Sequence, residues 1–223
     1  MKMGINVIIT GVTGMVGEGV LLECLRNTRV DSVLAVCRKA LDLDHPKLKV
    51  LVAPDFLNID AATTAQLAGY DACFYCAGVS SNGVTEDDYT RITYDTTLHF
   101  ATVALQANPH IVFNFVSGYG TDSSEKGRVM WARIKGKTEN ALLQLFDGKE
   151  FNLRPALMKP MPGQQHFYGY NRLTHKILYP LLSLVFPACT LQQITQAMIN
   201  TTLMGYEKPT LEVRDIKKLA QAG

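Results

Sequence analysis

Residues 7–20 read VIITGVTGMVGEGV. Val7, Ile8 and Ile9 form a continuous apolar run, the signature of a strand buried on both faces. Gly11, Gly14 and Gly17 follow at once, and a helical apolar pattern opens near Met15. Glycine is needed where a chain turns tightly, where backbone approaches a pyrophosphate, and where a helix packs closely on a strand. The helix start then presents unpaired N–H groups and a positive dipole end. The spacing is G-x-x-G-x-x-G rather than G-x-G-x-x-G, so position carries the reading: the glycines join the first strand to the first helix. Gly11, Thr13, Gly14, Met15, Val16 and Gly17 are therefore expected to cradle the phosphates of a dinucleotide.

Outward from this turn, short apolar runs alternate with helical patterns. INVIIT (5–10) precedes a helix over Met15–Arg26, then SVLAVC (32–37), LKVLVA (48–53), a short helix near 61–68, and ACFYCA (72–77). A long helix over 85–107, HIVFNFVS (110–117), a helix over 128–146 and FNLRPA (151–156) continue the series. Uniformly apolar strands alternating with helices predict an α/β fold, a Rossmann-type doubly wound parallel sheet with ligands at the carboxyl ends of its strands. Residues 1–157 are expected to form that domain. Residues 158–223 are expected to pack on it as a small substrate-side extension. They comprise a Pro/Gly/aromatic loop (158–172), an apolar stretch (173–187), a helix (191–205), a short TLEV strand (210–213) and DIKKLA.

In such a sheet the second strand commonly ends in a carboxylate that holds the ribose of NAD. Here it ends in Cys37, Arg38 and Lys39. A guanidinium can fork onto a 2′-phosphate that a carboxylate would repel, so Arg38 favours NADP over NAD. Asp55 and Phe56 stand where a carboxylate could accept from the adenine amino group, although Asp55 also suits a turn. Ala77 and Gly78, after the fourth strand, would let backbone pass close to the adenosine ribose.

A net charge of +2 and the absence of basic or acidic blocks argue against a nucleic-acid or membrane-surface partner. The apolar 173–187 stretch is too short to span a bilayer and contains Pro180; burial of 177–187 against the core or a second copy, as in a homodimer, is expected instead. The N-terminus reads as a buried strand rather than a signal peptide. Five cysteines without framework spacing fit a reducing cytoplasm. Cys73 and Cys76, in a strand, should point to opposite faces rather than pair. His99, His110, His166 and His175 lack metal-ligand spacing; a surface role is expected for each, and only His166, in the candidate lid, could face a substrate.

Three further motifs follow in order. FNFVSGYGTDSS contains Ser117, WARIKGKTEN contains Trp131, Lys135, Gly136 and Glu139, and NLRPAL contains Pro155. With TGVTGMVG at the front, the chain resembles the short-chain dehydrogenase/reductase superfamily in its extended or atypical branch, among the small NAD(P)-binding epimerase/dehydratase-like proteins. The resemblance covers about residues 4–160. It implies that Ser117 orients a substrate carbonyl and that Lys135 holds the nicotinamide ribose. It implies a tyrosine at position 131, whose proton Lys135 would help to mobilise. The chain has Trp131 there, and an indole is a donor with no proton to give up near neutral pH. Tyr119, Tyr168 and Tyr170 are candidate displaced acids. ITYDTT (92–97) also lacks a structural asparagine seen in many extended members. The resemblance implies an NADP-dependent oxidoreductase acting on a small carbonyl or sugar-like molecule; the missing phenol leaves open a non-catalytic redox sensor or scaffold.

Overall fold

The computed structural model describes residues 4–166, 179 and 182–222. Strands β1 (Ile5–Thr10), β2 (Val30–Cys37), β3 (Leu48–Val52), β4 (Ala72–Tyr75), β5 (Val112–Val116), β6 (Glu150–Arg154) and β9 (Thr210–Glu212) form one sheet in the order β3-β2-β1-β4-β5-β6-β9. All its pairings are parallel. The order reverses between β1 and β4, where β2 lies on one side of β1 and β4 on the other. This switch point is where a crevice opens above the carboxyl ends of the strands.

Alternation along the strands divides the core in two. Val7 and Ile9 of β1, with Phe74 of β4, face α1 (Met15–Arg26), α6 (Leu191–Met204) and α7 (Val213–Ala220). Ile8, Cys73 and Tyr75 face the opposite layer with Phe100, Leu142 and Phe146. That layer holds α2 (Ala61–Gln66), α4 (Thr96–Ala107) and α5 (Met130–Phe146). Both faces being covered explains why the strands read as unbroken apolar runs. Cys73 belongs to one layer and Cys76 packs on the other, so they diverge as expected, and all five cysteines are free thiols.

The helix expected over 85–107 has three parts: α3 (Glu86–Thr90), a π-helical turn (Arg91–Asp95) and α4. The Thr96 hydroxyl donates to the Arg91 carbonyl inside that widened turn. Thr93, in the ITYDTT stretch, is buried and bonded to the Tyr89 hydroxyl.

The C-terminal third contributes more to the main domain than the sequence suggested. β9 pairs with β6, Leu211 beside Leu153, and α6 packs its buried Leu191, Ile194 and Met198 in the α1 layer. A capping box between Thr190 and Gln193 starts α6. A small parallel pair, β7 (Leu157–Lys159) and β8 (Ala188–Thr190), stands just beyond the carboxyl end of β6. For the apolar stretch, the two expectations are burial against the core and burial against a second copy. Leu184, Val185 and Phe186 are 84, 77 and 55% exposed, so they are not buried against this chain's own core. Within 177–187, residues 177, 178, 180 and 181 lie outside the described residues, as do Tyr168, Tyr170 and His175. No helix among the described residues is long and apolar enough to cross a membrane.

Candidate functional site

The glycine turn is built by close backbone approach. Gly11 has φ +69°, and a Cβ there would sit 2.6 Å from the Cys76 carbonyl and the Ala77 nitrogen, so β1 can meet β4 only through glycine. Gly14 donates its N–H to the Gly11 carbonyl at 2.9 Å and caps α1 with no side-chain partner. A Cβ on Gly17 would overlap the Gly11 carbonyl. The first turn of α1, from Met15 to Gly17, therefore packs directly on the loop with its N–H groups facing out of the helix end. Thr13 is exposed on the rim.

Thr10 completes this corner, which sequence reasoning missed. Its buried hydroxyl accepts from the Cys76 and Ala77 N–H groups, both at 3.2 Å, and fixes the chain where it leaves β4. Beyond it, a Cβ on Gly78 would meet nothing within 4 Å, so the surface there is open. Arg38 and Lys39 are exposed at the end of β2. Asp55 spends its carboxylate locally, accepting from the Leu57 N–H at 2.9 Å and the Asn58 amide at 2.6 Å. These bonds hold its pKa below the ordinary carboxylate value. Phe56 is buried with its ring 5.1 Å from that of Phe100, so only its backbone can face a ligand.

Two more unforeseen residues stand over α1. The Glu18 carboxylate accepts the backbone N–H groups of Gln165 and His166, each at 2.7 Å. The buried Gln164 side chain bonds the Met15 carbonyl and accepts from the Met161 N–H. The loop at 161–166 is thus fastened to the turn that follows the glycines. The contacts span nearly 150 positions of sequence, and no local pattern announces them.

The second half of the site lies at the end of β5. Ser117 is buried with its Oγ 3.0 Å from the Thr121 hydroxyl, which itself donates to the Gly118 carbonyl at 2.7 Å. Because Thr121 has one proton and gives it to Gly118, Ser117 is the donor in the pair. Lys135, on α5, directs its ammonium under the same strand end, to the carbonyls of Val116 (3.3 Å) and Ser117 (3.0 Å). Burial lowers its pKa to about 8, against the upward pull of Glu139. Trp131, one turn earlier, is half-buried, and its six-membered ring covers the loop around Gly118 and Gly120. Gly136 is obligatory, since a Cβ would overlap the Asp122 carbonyl, and this contact sets α5 against the loop. Pro155 is buried after β6, and its carbonyl accepts from the Tyr119 N–H at 2.9 Å.

Glu139 has a packing role. Its almost fully buried carboxylate pairs with Arg154 on β6, which also reaches Glu212 at 3.3 Å. Beside this triad, beyond Ser117, lies a cavity of about 760 Å³ bordered by Tyr119, Thr121, Arg154 and Glu212 among others. No group of His, Cys, Asp or Glu among the described residues could hold a metal ion.

The structure thus brings the glycine turn, Ser117 and Lys135 to one edge of the sheet. The turn fits a dinucleotide on its own geometry: backbone approach that any Cβ would block, unpaired helix N–H groups, and open space at Gly78. Fold and site together define an NAD(P)-binding Rossmann protein. The chain belongs to the NAD dependent epimerase/dehydratase family, whose model matches residues 7–139, more than half of its length. Among curated proteins it is similar to "Leucinostatins biosynthesis cluster protein T" of Purpureocillium lilacinum, with 26% identity over 63% of this chain and 52% of that protein. It is also similar to "Protein HTATIP2" of Rattus norvegicus, with 25% identity over 69% of this chain and 62% of that one. The chain therefore spans less than two thirds of either relative. Among solved structures, the Bordetella bronchiseptica enzyme WbmF in complex with NAD+ superimposes with a TM-score of 0.67 at 16% identity, covering 99% of this chain and 78% of that one. At that identity the likeness speaks for the fold alone.

Proposed function

We propose that the chain is an NADP-binding oxidoreductase of the atypical short-chain type, acting on a small carbonyl or sugar-like substrate, with Trp131 in the place of the usual tyrosine. The observation that carries this reading is Lys135, buried at the end of β5 beside Ser117 and on the same sheet edge as the glycine turn. The N–H groups of the α1 turn would hold the pyrophosphate, and exposed Arg38 would fork onto the 2′-phosphate. Lys135 already gives two hydrogen bonds to carbonyls, and its third N–H is available for a ribose hydroxyl. The bound nicotinamide supplies or accepts the hydride. Ser117 would turn its hydroxyl from Thr121 toward a substrate carbonyl. The indole cannot deliver the proton that carbonyl reduction consumes, so that proton would come from another donor, such as Tyr119 on the cavity wall. Five free thiols, four of them buried, support a reducing compartment such as the cytoplasm.

A second reading, an NADP-binding sensor or scaffold without turnover, is favoured by the same indole and by the engaged Ser117 hydroxyl. Hydride exchange between labelled NADPH and a panel of carbonyl compounds separates the two. The cofactor assignment has its own test. NADPH should bind more tightly than NADH by titration calorimetry, and Arg38→Ala should erase about 1.5–3 kcal/mol of that preference, the worth of a charged hydrogen bond. Equal affinities in the wild type would reverse the choice of NADP.

A further inference from the structure

We propose that the cavity beyond Ser117 selects a carbonyl compound with a largely apolar body and an anionic end, a carboxylate or a phosphate, held by Arg214 and Lys217. This rests on reading that cavity as the substrate site.

Its volume of about 760 Å³ lies within the range of small-molecule pockets. Tyr119, Pro187, Ala188 and Val213 supply apolar wall, and Arg214 and Lys217 add two cations from α7. Three positions apart on a helix, they lie on one face. The nearby carboxylates are already engaged. Glu139 and Glu212 both pair with Arg154, and Asp215 is taken by Lys208 at 3.0 Å and by the Tyr206 hydroxyl. Arg214 and Lys217, by contrast, form no ion pair with any described residue. Two carboxylates share Arg154, so Arg214 and Lys217 leave the cavity with one net positive charge; that favours an anion there, and the unpaired guanidinium suits a two-oxygen group.

The same cavity fixes which end of the ligand reacts. Thr121 lines it, and the Thr121 hydroxyl is 3.0 Å from that of Ser117. A ligand anchored on α7 therefore extends its other end toward Ser117, across the apolar wall. A fully polar sugar would leave Tyr119, Pro187, Ala188 and Val213 without an apolar partner.

The test uses the whole chain and the anionic aromatic probe 8-anilinonaphthalene-1-sulfonate, titrated by fluorescence with and without NADP+ so that binding at the glycine turn is discounted. Benzoate, phenyl phosphate and benzyl alcohol then compete for the component that survives NADP+. The two anions should displace the probe at concentrations roughly tenfold or more below the alcohol, and the better of the two names the preferred head group. In the double variant Arg214→Glu/Lys217→Glu, probe affinity should fall by roughly tenfold or more. Both positions are exposed, so the melting temperature should hold. Displacement by the alcohol at equal concentration, or unchanged probe affinity in the double variant, would overturn the proposal. Calorimetry of NADPH on the same preparations stands apart: loss of cofactor binding by the wild type would sink the oxidoreductase reading and leave the charge preference of the cavity to be judged alone.

Discussion

Lys135 and Trp131 stand one turn apart on α5 and meet opposite demands. Burying an ammonium costs stability, and for Lys135 the cost shows as a pKa near 8 in place of 10.5. A lowered folded-state pKa means that stability is fullest above 10.5 and falls as pH drops through about 8, so at neutral pH the folded chain bears this burden in full. A residue retained at such a cost is expected to serve the ligand. Lys135→Met should therefore weaken NADPH binding while leaving the neutral-pH urea midpoint equal or higher. Trp131→Phe keeps the aromatic cover over Gly118 and Gly120 and should bind NADPH as the wild type does. In turnover it should escape the loss of about 10²–10⁴-fold that follows removal of a general acid. Calorimetry and kinetics on the two variants check this together; a collapse of turnover in Trp131→Phe would give the indole N–H a part in the chemistry. Ser117 and Lys135 were legible because motif spacing is local information. Thr10, Thr121, Glu18 and Gln164 were not, because each acquires its meaning from a partner brought near only by folding. Asp55 shows the converse: a carboxylate at a suggestive place whose oxygens satisfy its own turn.

At the scale of elements, β1, α1 and the alternation that follows could be read directly, since a doubly covered strand must be apolar throughout. α1 begins and ends as expected, at Met15 and Arg26. The π turn at Arg91–Asp95 could not be read, because one extra residue in a turn leaves the apolar rhythm on either side intact. Nor could β7 and β8, three residues each, whose pairing joins segments some thirty positions apart. The tie among α5, β6 and β9 is also hidden in sequence. Arg154 joins the three through Glu139, whose side chain is 1% exposed, and Glu212. Arg154→Ala leaves Glu139 as a buried carboxylate without its partner and should cost about 3–5 kcal/mol in urea unfolding. Replacing both residues by leucine should recover most of that loss, since no charge is then stranded. If the single variant proves as stable as the wild type, the triad does not hold these elements together.

For the molecule as a whole, the pH dependence of stability has a second source besides Lys135, in β6. Glu150 is fully buried in β6, with one oxygen bonded to the Asn152 amide at 3.0 Å and the other without a partner. Burial, aided by the Glu139 charge, raises its pKa well above 4.5. For an acid raised in this way, the contribution to stability is complete below 4.5 and is lost as pH climbs through the folded-state value. Glu150→Gln removes the titration, so its urea midpoint should decline less than that of the wild type between acid and mildly alkaline pH. Parallel profiles would mean that Glu150 does not titrate in this way.

The fastening of residues 161–166 onto α1 has a thermodynamic consequence. A lone carboxylate in the first turn of α1 would repel a pyrophosphate at the helix end; Glu18 instead faces two backbone N–H groups from the loop, which draw its charge away from the glycines. Seating of the loop and affinity for the phosphates then share one coupling free energy. Whatever factor the seated loop adds to phosphate binding, bound phosphate returns to the seating of the loop, because such coupling is reciprocal.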